Sequence, residues 1–269
     1  MRRRRILAAG GVLAGTVVTS VASRSPDEHD LVSAARHPGS GDEPETNTES
    51  ILPNTDHETT LYEIDAPRDG PTAMIFGGVH GDEYNGIDVG HEIAEGWYPD
   101  AGTLAVVPET DRVAVENDER EGIDGDLNRH FPVDGDPESE LARGVWEAVE
   151  RHDPDVVLDL HRSLGIYGVH RQYVGQAIFH SSDARGDELA AALNDAVPWY
   201  LPMHRFVARE SHLSGPLLFH KAARELDAVA YLFETTSFLF DRETKNEMTR
   251  VMTAALLERH GLLEAEGKR

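Results

Sequence analysis

From Leu61 onward, short apolar runs alternate with amphipathic ones. Thr72 to Val79, Thr103 to Pro108, Val156 to Leu160, Val174 to Phe179 and Ala228 to Phe233 are runs with few polar interruptions, the pattern of strands buried on both faces. Between and after them, apolar side chains recur at helical spacing. Leu141, Val145, Trp146 and Val149 form one such stripe, and Met248, Val251, Met252, Ala255 and Leu256 form another. Strands that are apolar on both faces need cover on both. The pattern therefore predicts an α/β domain with a mixed, mostly parallel central sheet and helices on both faces, a three-layer α/β/α arrangement. In such sheets the polar residues that end the strands are gathered at one rim.

The chain ahead of this pattern reads differently. Arg2-Arg3-Arg4-Arg5 precedes a mildly apolar stretch, Ile6 to Ser23, rich in Gly, Ala and Thr, with no further charge until Arg24. That order predicts a twin-arginine-type export signal or an anchor over residues 1–24, its uncharged stretch of 18 residues, Ile6 to Ser23, being at the short edge of what spans a bilayer. The expected location is outside the cytoplasm, extracellular or membrane-anchored facing outward, with any membrane attachment confined to this segment. Residues 25–60 carry nine acids, one Arg and four prolines among Gly, Ser, Thr and Asn. Such a segment has too little apolar surface to offset its ordering entropy, and a disordered acidic linker is expected there. Residues 61–269 remain as the single folded domain.

Charge narrows the choice of partner. The 269 residues carry a formal net charge of −24, and only Lys221, Lys245 and Lys268 are lysines. An acidic, lysine-poor surface fits a halophilic source, where salt screens the self-repulsion. It also repels phosphate backbones, so no nucleic acid is expected and a small molecule is the anticipated partner. With no cysteine in the chain, thiolate metal sites, disulfides and Cys nucleophiles are excluded.

The chemistry gathers where strands end. The first strand runs into Gly77-Gly78-Val79-His80-Gly81-Asp82-Glu83, and a turn near Gly81 lets His80 and Glu83 converge. Val156 to Leu158 leads to Asp159-Leu160-His161, and Val229 to Phe233 delivers Glu234. His80, Glu83 and His161 make a two-His, one-Glu set, which is how a catalytic Zn2+ is usually held, with a further position left for water. A lone carboxylate at the end of an apolar strand, Glu234, is costly to bury unless it works as a proton acceptor. Asn128 and Arg129 offer an amide and a guanidinium fork for a substrate carboxylate. Asp159 is read as a capping or orienting group. His204, His212 and His220 hint weakly at a second metal site. Ser163 beside His161 lacks any Gly-x-Ser-x-Gly elbow.

Taken together, His80-Gly81-Asp82-Glu83, Asp126-Leu127-Asn128-Arg129, Asp159-Leu160-His161 and Glu234 resemble, in this order, the succinylglutamate desuccinylase and aspartoacylase family of the zinc carboxypeptidase-like superfamily. The resemblance covers most of Thr72 to Ser237. It implies that His80, Glu83 and His161 bind zinc and that Glu234 is the general base and acid. It further implies that Asn128 and Arg129 hold a substrate carboxylate, while Asp126 hydrogen-bonds a ligating His. An upstream Arg that polarises the scissile carbonyl is expected to be Arg120, with Arg112 as the other candidate.

The expected function is thus a zinc-dependent hydrolase, a deacylase cleaving an amide or ester of a small carboxylate-bearing substrate such as an N-acyl amino acid. The alternative within that chemistry is an exported metallocarboxypeptidase acting on peptide or cell-wall C-termini. Two readings of other kinds are a non-haem iron oxygenase, which usually needs an all-β double sheet, and a non-catalytic envelope binding protein.

Overall fold

A computed structural model describes residues 45–182, 184–197 and 202–264. The expected export segment, residues 1–24, lies outside the described residues. One sheet of eight strands runs through the domain: β1 (Glu45–Ile51), β2 (Thr59–Asp65), β3 (Thr72–Phe76), β4 (Thr103–Val107), β5 (Val156–Ser163), β6 (Ala177–His180), β7 (Val207–Glu210) and β8 (Val229–Thr236). Their spatial order is β1-β2-β4-β3-β5-β8-β6-β7. The four central strands β4, β3, β5 and β8 are parallel. β2 joins them antiparallel on one side and β6 on the other.

Alternation along each strand splits the core in two. Ile75, Val106, Leu158 and Phe233 face one layer, which is closed by helices α1 (Tyr84–Gly96), α4 (Gly186–Ala196) and α6 (Arg242–Arg259). Met74, Phe76, Val157 and Leu232 face the other, closed by α3 (Glu140–His152) and α5 (Leu218–Glu225). A short helix, α2 (Arg112–Asn117), follows β4. The mostly parallel sheet with helices on both faces is therefore present as expected. An all-β roll is not, which removes the structural premise of the oxygenase reading.

The linker expectation needs correction at its carboxyl-terminal end. Residues 45–51 form β1, paired in register with β2 from Glu45↔Asp65 to Ile51↔Thr59. Backbone pairing along its length holds this edge strand, helped by the Arg151–Glu49 ion pair and the Ser50–Glu58 hydrogen bond, and Ile51 is its only fully buried side chain. An edge strand gains from charged, polar residues that discourage further pairing, so its composition imitates a spacer. The folded domain accordingly starts at Glu45 among the described residues, ahead of Leu61.

Two strands also run further than their apolar cores suggest. β5 continues through His161 to Ser163, and β8 continues through Glu234 to Thr236, paired His161↔Glu234 and Ser163↔Thr236. Paired residues of parallel neighbours point to the same face. His161 and Glu234 therefore sit side by side at the carboxyl-terminal rim, in line with Val157 and Leu232 beneath them.

Candidate active site

The approach to His80 is built on glycines. Gly78 takes a left-handed φ of 60°, which an L side chain rarely adopts. A Cβ on Gly81 would lie 2.0 Å from the Ala114 carbonyl, so only glycine lets this turn press against α2. The backbone N–H of Glu83 donates to the His80 carbonyl at 3.3 Å, closing a tight turn that brings the two side chains together. α1 starts at the next residue, and the Glu83 side chain does not cap it. Its carboxylate turns inward instead.

Glu83 is 2% exposed and bridges both imidazoles. His80 Nδ1 lies 3.0 Å from Oε1, and His161 Nδ1 lies 2.8 Å from Oε2. The backbone N–H of Arg162 donates to Oε2 at 2.8 Å, and Arg120 donates to Oε1 at 3.1 Å. The two rings stand 4.9 Å apart between centroids. One donor atom from each of His80, Glu83 and His161 falls within 4.8 Å of the others. Two donors on a sphere of zinc's bonding radius are themselves separated by about 3 Å or a little more, so this set fits one small divalent cation.

The far side of each ring carries a carboxylate. His80 Nε2 meets Asp126 Oδ1 at 2.9 Å, and His161 Nε2 meets Asp159 Oδ1 at 3.0 Å. Each pair fixes a ring's orientation and leaves its Nδ1 aimed at the centre. Asp126 has a second task, accepting from the Asn128 backbone N–H at 3.1 Å as it caps the single 3-10 turn of Leu127–Arg129. Asp159 was the less legible of the two. Its signal was strand periodicity, since residues 159 and 161 share a face of β5.

Glu234 sits alone among these groups. Its Oε2 is buried without a hydrogen-bond partner. Burial pushes its pKa up to about 8; the positive charge of His161 opposes the rise and the negative charge of Glu83 adds to it. For Glu83 the balance goes the other way. Burial works against its charge, but the attraction and hydrogen bonds of His161 and His80 hold it well below the ordinary carboxylate range. Burial also disfavours the charged form of each His, yet Asp159 and Glu83 raise His161 well above its usual value. Hydrogen bonds to Asp126 and Glu83 likewise raise His80.

Asn128 requires correction. Its side chain is 2% exposed, and both ends of the amide are engaged. Nδ2 contacts Asp159 Oδ2 at 3.2 Å and His161 Nε2 at 3.1 Å, while Oδ1 accepts the Leu218 backbone N–H at 3.0 Å. It braces the His161–Asp159 pair and ties it to α5, with no open face for a substrate carboxylate. Arg129 does face outward. Its guanidinium is 55% exposed and 3.9 Å from Asp126.

Arg120 reaches the site, bonding Glu83 and Asp126, and is 46% exposed. Arg112 is held elsewhere, by Glu116 and the carbonyl oxygens of Glu58 and Asp56. Among the described residues no second metal cluster forms: His220 pairs with Ser211, and His204 stacks on Phe238. Ser163 donates its hydroxyl to the Gly175 carbonyl, away from the imidazoles.

Comparison with known proteins agrees with this geometry. A family model described as the succinylglutamate desuccinylase/aspartoacylase catalytic domain matches residues 69–204. Over 100 residues the chain is 36% identical to N-alpha-acetyl-L-2,4-diaminobutyric acid deacetylase of Halomonas elongata, covering 35% of this chain and 29% of that protein. The tripeptide-bound cell shape determinant Csd4 of Helicobacter pylori superposes with a TM-score of 0.63 at 16% identity, over 77% of this chain and 56% of that one. A succinylglutamate desuccinylase/aspartoacylase from Rhodobacter sphaeroides superposes with a TM-score of 0.60 at 20% identity, over 84% of this chain and 68% of that one. The structural likenesses are of fold. The chain spans under a third of the length of the deacetylase and little more than half of Csd4. With its four motifs in order and the matched segment spanning half the sequence, the chain belongs to the succinylglutamate desuccinylase/aspartoacylase catalytic domain family.

Proposed function

We propose that this chain is a zinc-dependent hydrolase that removes the acyl group from a small, carboxylate-bearing N-acyl amino acid. One observation carries the reading: Glu234, a half-buried carboxylate whose Oε2 is enclosed without a partner, stands in register beside His161, one of three convergent metal-type donors. A binding protein has no use for so costly a group; a hydrolase needs it.

His80, Glu83 and His161 would hold the metal. Bound zinc supplies Lewis acidity, polarising a carbonyl oxygen and making water easier to deprotonate. Glu234 then accepts a proton from the attacking water and passes it to the leaving nitrogen, so one water is consumed and a carboxylate and an amine are released. Glu83 and Asp159 oppose ionisation of Glu234, and a divalent charge among these carboxylates reverses that local balance. Arg129 is the exposed guanidinium available for the substrate carboxylate, with Arg120 beside it. Action outside the cytoplasm belongs to the same reading and rests on the Arg2 to Ser23 pattern.

The test is hydrolysis of N-acetyl and N-succinyl amino acids, with short peptides alongside, by zinc-loaded protein in high salt. Glu234→Gln should keep the metal, by elemental analysis, and lose about 10²- to 10⁴-fold in kcat. Full turnover in that variant would remove Glu234 from the chemistry. Cleavage of peptides alone would favour the carboxypeptidase alternative.

A further inference from the structure

Among the described residues, large apolar side chains left in water are few, and most share one place. Leu164, Val169, Tyr173, Met203, Phe238 and Leu239 are each more than 40% exposed. Leu164 directly follows β5, three residues beyond His161, and Phe238 lies two residues past β8, four beyond Glu234. These segments are laced together rather than loose. Ser237 N–H donates to the Ser163 carbonyl at 3.0 Å, Thr236 Oγ1 to the Gly165 carbonyl at 2.6 Å, and Gly175 N–H to the Leu164 carbonyl at 3.2 Å. His204, next to Met203, stacks on the Phe238 ring at 5.8 Å and contacts its carbonyl at 3.1 Å. Leu239 is held at a φ of 66°, a conformation rare for an L side chain.

Charge sets the same rim apart. Residues 160–182 contain no acid, nor do 202–209 or 235–240, in a chain with 49 acidic residues. The exposed arginines Arg120 and Arg129 approach the site from the β3 side. Both approach Asp126, which holds His80 beyond β3, whereas the apolar rim extends from β5 and β8 toward β6. The site thus has Arg120 and Arg129 on one side and, on the other, an acid-free rim whose exposed apolar side chains are interspersed with Arg171, Arg205 and Arg209, with the proton acceptor between them.

We propose that the acyl half of the substrate is apolar and larger than acetyl, and that it lies along this rim while the carboxylate of the amino-acid half faces the arginines. This rests on the hydrolase reading above. An anionic amphiphile complements both sides, and an acid-free rim spares its carboxylate repulsion on approach. A second copy of the chain, with the same net charge of −24, and an anionic membrane are both disfavoured by that repulsion.

The test compares kcat/KM for one amino acid carrying acetyl, butyryl, hexanoyl and octanoyl groups. A parallel series carries Ala, Val, Leu and Phe in place of the acyl chain. A fully buried methylene is worth roughly fourfold; on an open rim about twofold per methylene is expected, so about 60-fold over the six methylenes from acetyl to octanoyl if all lie along it. In the double variant Leu164→Ser, Phe238→Ser, the octanoyl-to-acetyl ratio should fall at least about fivefold. A rise confined to the aminoacyl series supports the rim as well and identifies the apolar group as a peptide residue. Acetyl substrates cleaved with a flat chain-length profile would overturn this inference and leave the hydrolase reading standing. No cleavage of any substrate would sink both. A dimer in sedimentation velocity that the double variant disperses would show the rim to be an interface and overturn the proposal.

Discussion

The half-buried carboxyl of Glu234, its Oε2 enclosed and unpaired, should weaken the metal-free protein, and the size of the effect follows from its surroundings. Its pKa is pushed up to about 8 against an ordinary 4.5, chiefly by burial. Between those values the folded chain holds a proton that the unfolded chain has released, so stability falls as pH rises. At pH 7 the gap of about 2.5 units corresponds to about 3 kcal/mol at 1.36 kcal/mol per unit. Gln at this position has the neutral shape without the proton uptake, and it leaves an N–H as unpaired as the O–H it replaces. Metal-free Glu234→Gln should therefore be the more stable protein, by up to about 3 kcal/mol, or roughly 6–12 °C in Tm for a domain of this size. The difference should widen from pH 5 to pH 8 and vanish below pH 4.5. Thermal melts of chelator-treated protein in high salt, followed by circular dichroism, read it directly. Equal melting temperatures across that range, or a more stable wild type, would mean that Glu234 is ionised and paired, and the argument for its role would lose its physical basis.

Other outcomes follow from the same contacts. His80→Ala should lose stoichiometric metal, measured by elemental analysis, because one of three donors is gone. Asp126→Asn and Asp159→Asn should each fold and bind zinc about 10- to 100-fold more weakly in competition with a chromophoric chelator, since each removes a carboxylate that orients a ligating ring. Zinc affinity should rise with pH between about 6 and 8, because both histidines are raised and a ligating nitrogen must first give up its proton. Titrations in buffers of different ionisation enthalpy should show that proton release. Arg129→Ala should raise KM for carboxylate-bearing substrates more than it lowers kcat, and a pure kcat effect would remove Arg129 as the carboxylate contact.

How much of this could be read from the residues depended on whether side chains or backbone carried the structure. β3, β4 and the first half of β5 are apolar on both faces, so hydropathy alone located them. β1 is held by backbone pairing at a sheet edge, where polar residues are an advantage, and the same letters spell a linker. The polar ends of β5 and β8 were legible as chemistry but not as strand, since their ladder continues through His161 and Glu234 whatever the side chains are. The His80 to Glu83 spacing named two candidate metal donors because three residues across a glycine turn leave little freedom. Asn128 misled, since its amide is turned by Leu218, a partner 90 positions away that no local pattern reveals. Arg120 and Arg112 could not be told apart by spacing; in the fold Arg120 contacts Glu83 and Asp126, while Glu58 and Glu116 hold Arg112 elsewhere.

The charges at the centre also explain why so acidic a protein concentrates its rarest arrangement there. Glu83, Asp126, Asp159 and Glu234 surround two imidazoles, with Arg120 the guanidinium in contact with two of these carboxylates. If both rings were neutral, four carboxylates would face only the guanidinium of Arg120 and, at 3.9 Å from Asp126, that of Arg129 in a largely buried space, which is costly. The metal-free chain meets the deficit with protons. Both histidines are shifted toward the charged form and Glu234 toward the neutral one. Those protons occupy the roles of a divalent cation. Adding the cation and expelling the protons leaves the surrounding charge nearly unchanged, so binding needs little rearrangement beyond deprotonation. On the proposed reading, the same exchange would convert Glu234 from a neutral acid into the base that hydrolysis requires, so the carboxylate that weakens the empty protein would become useful only when the donors beside it are engaged.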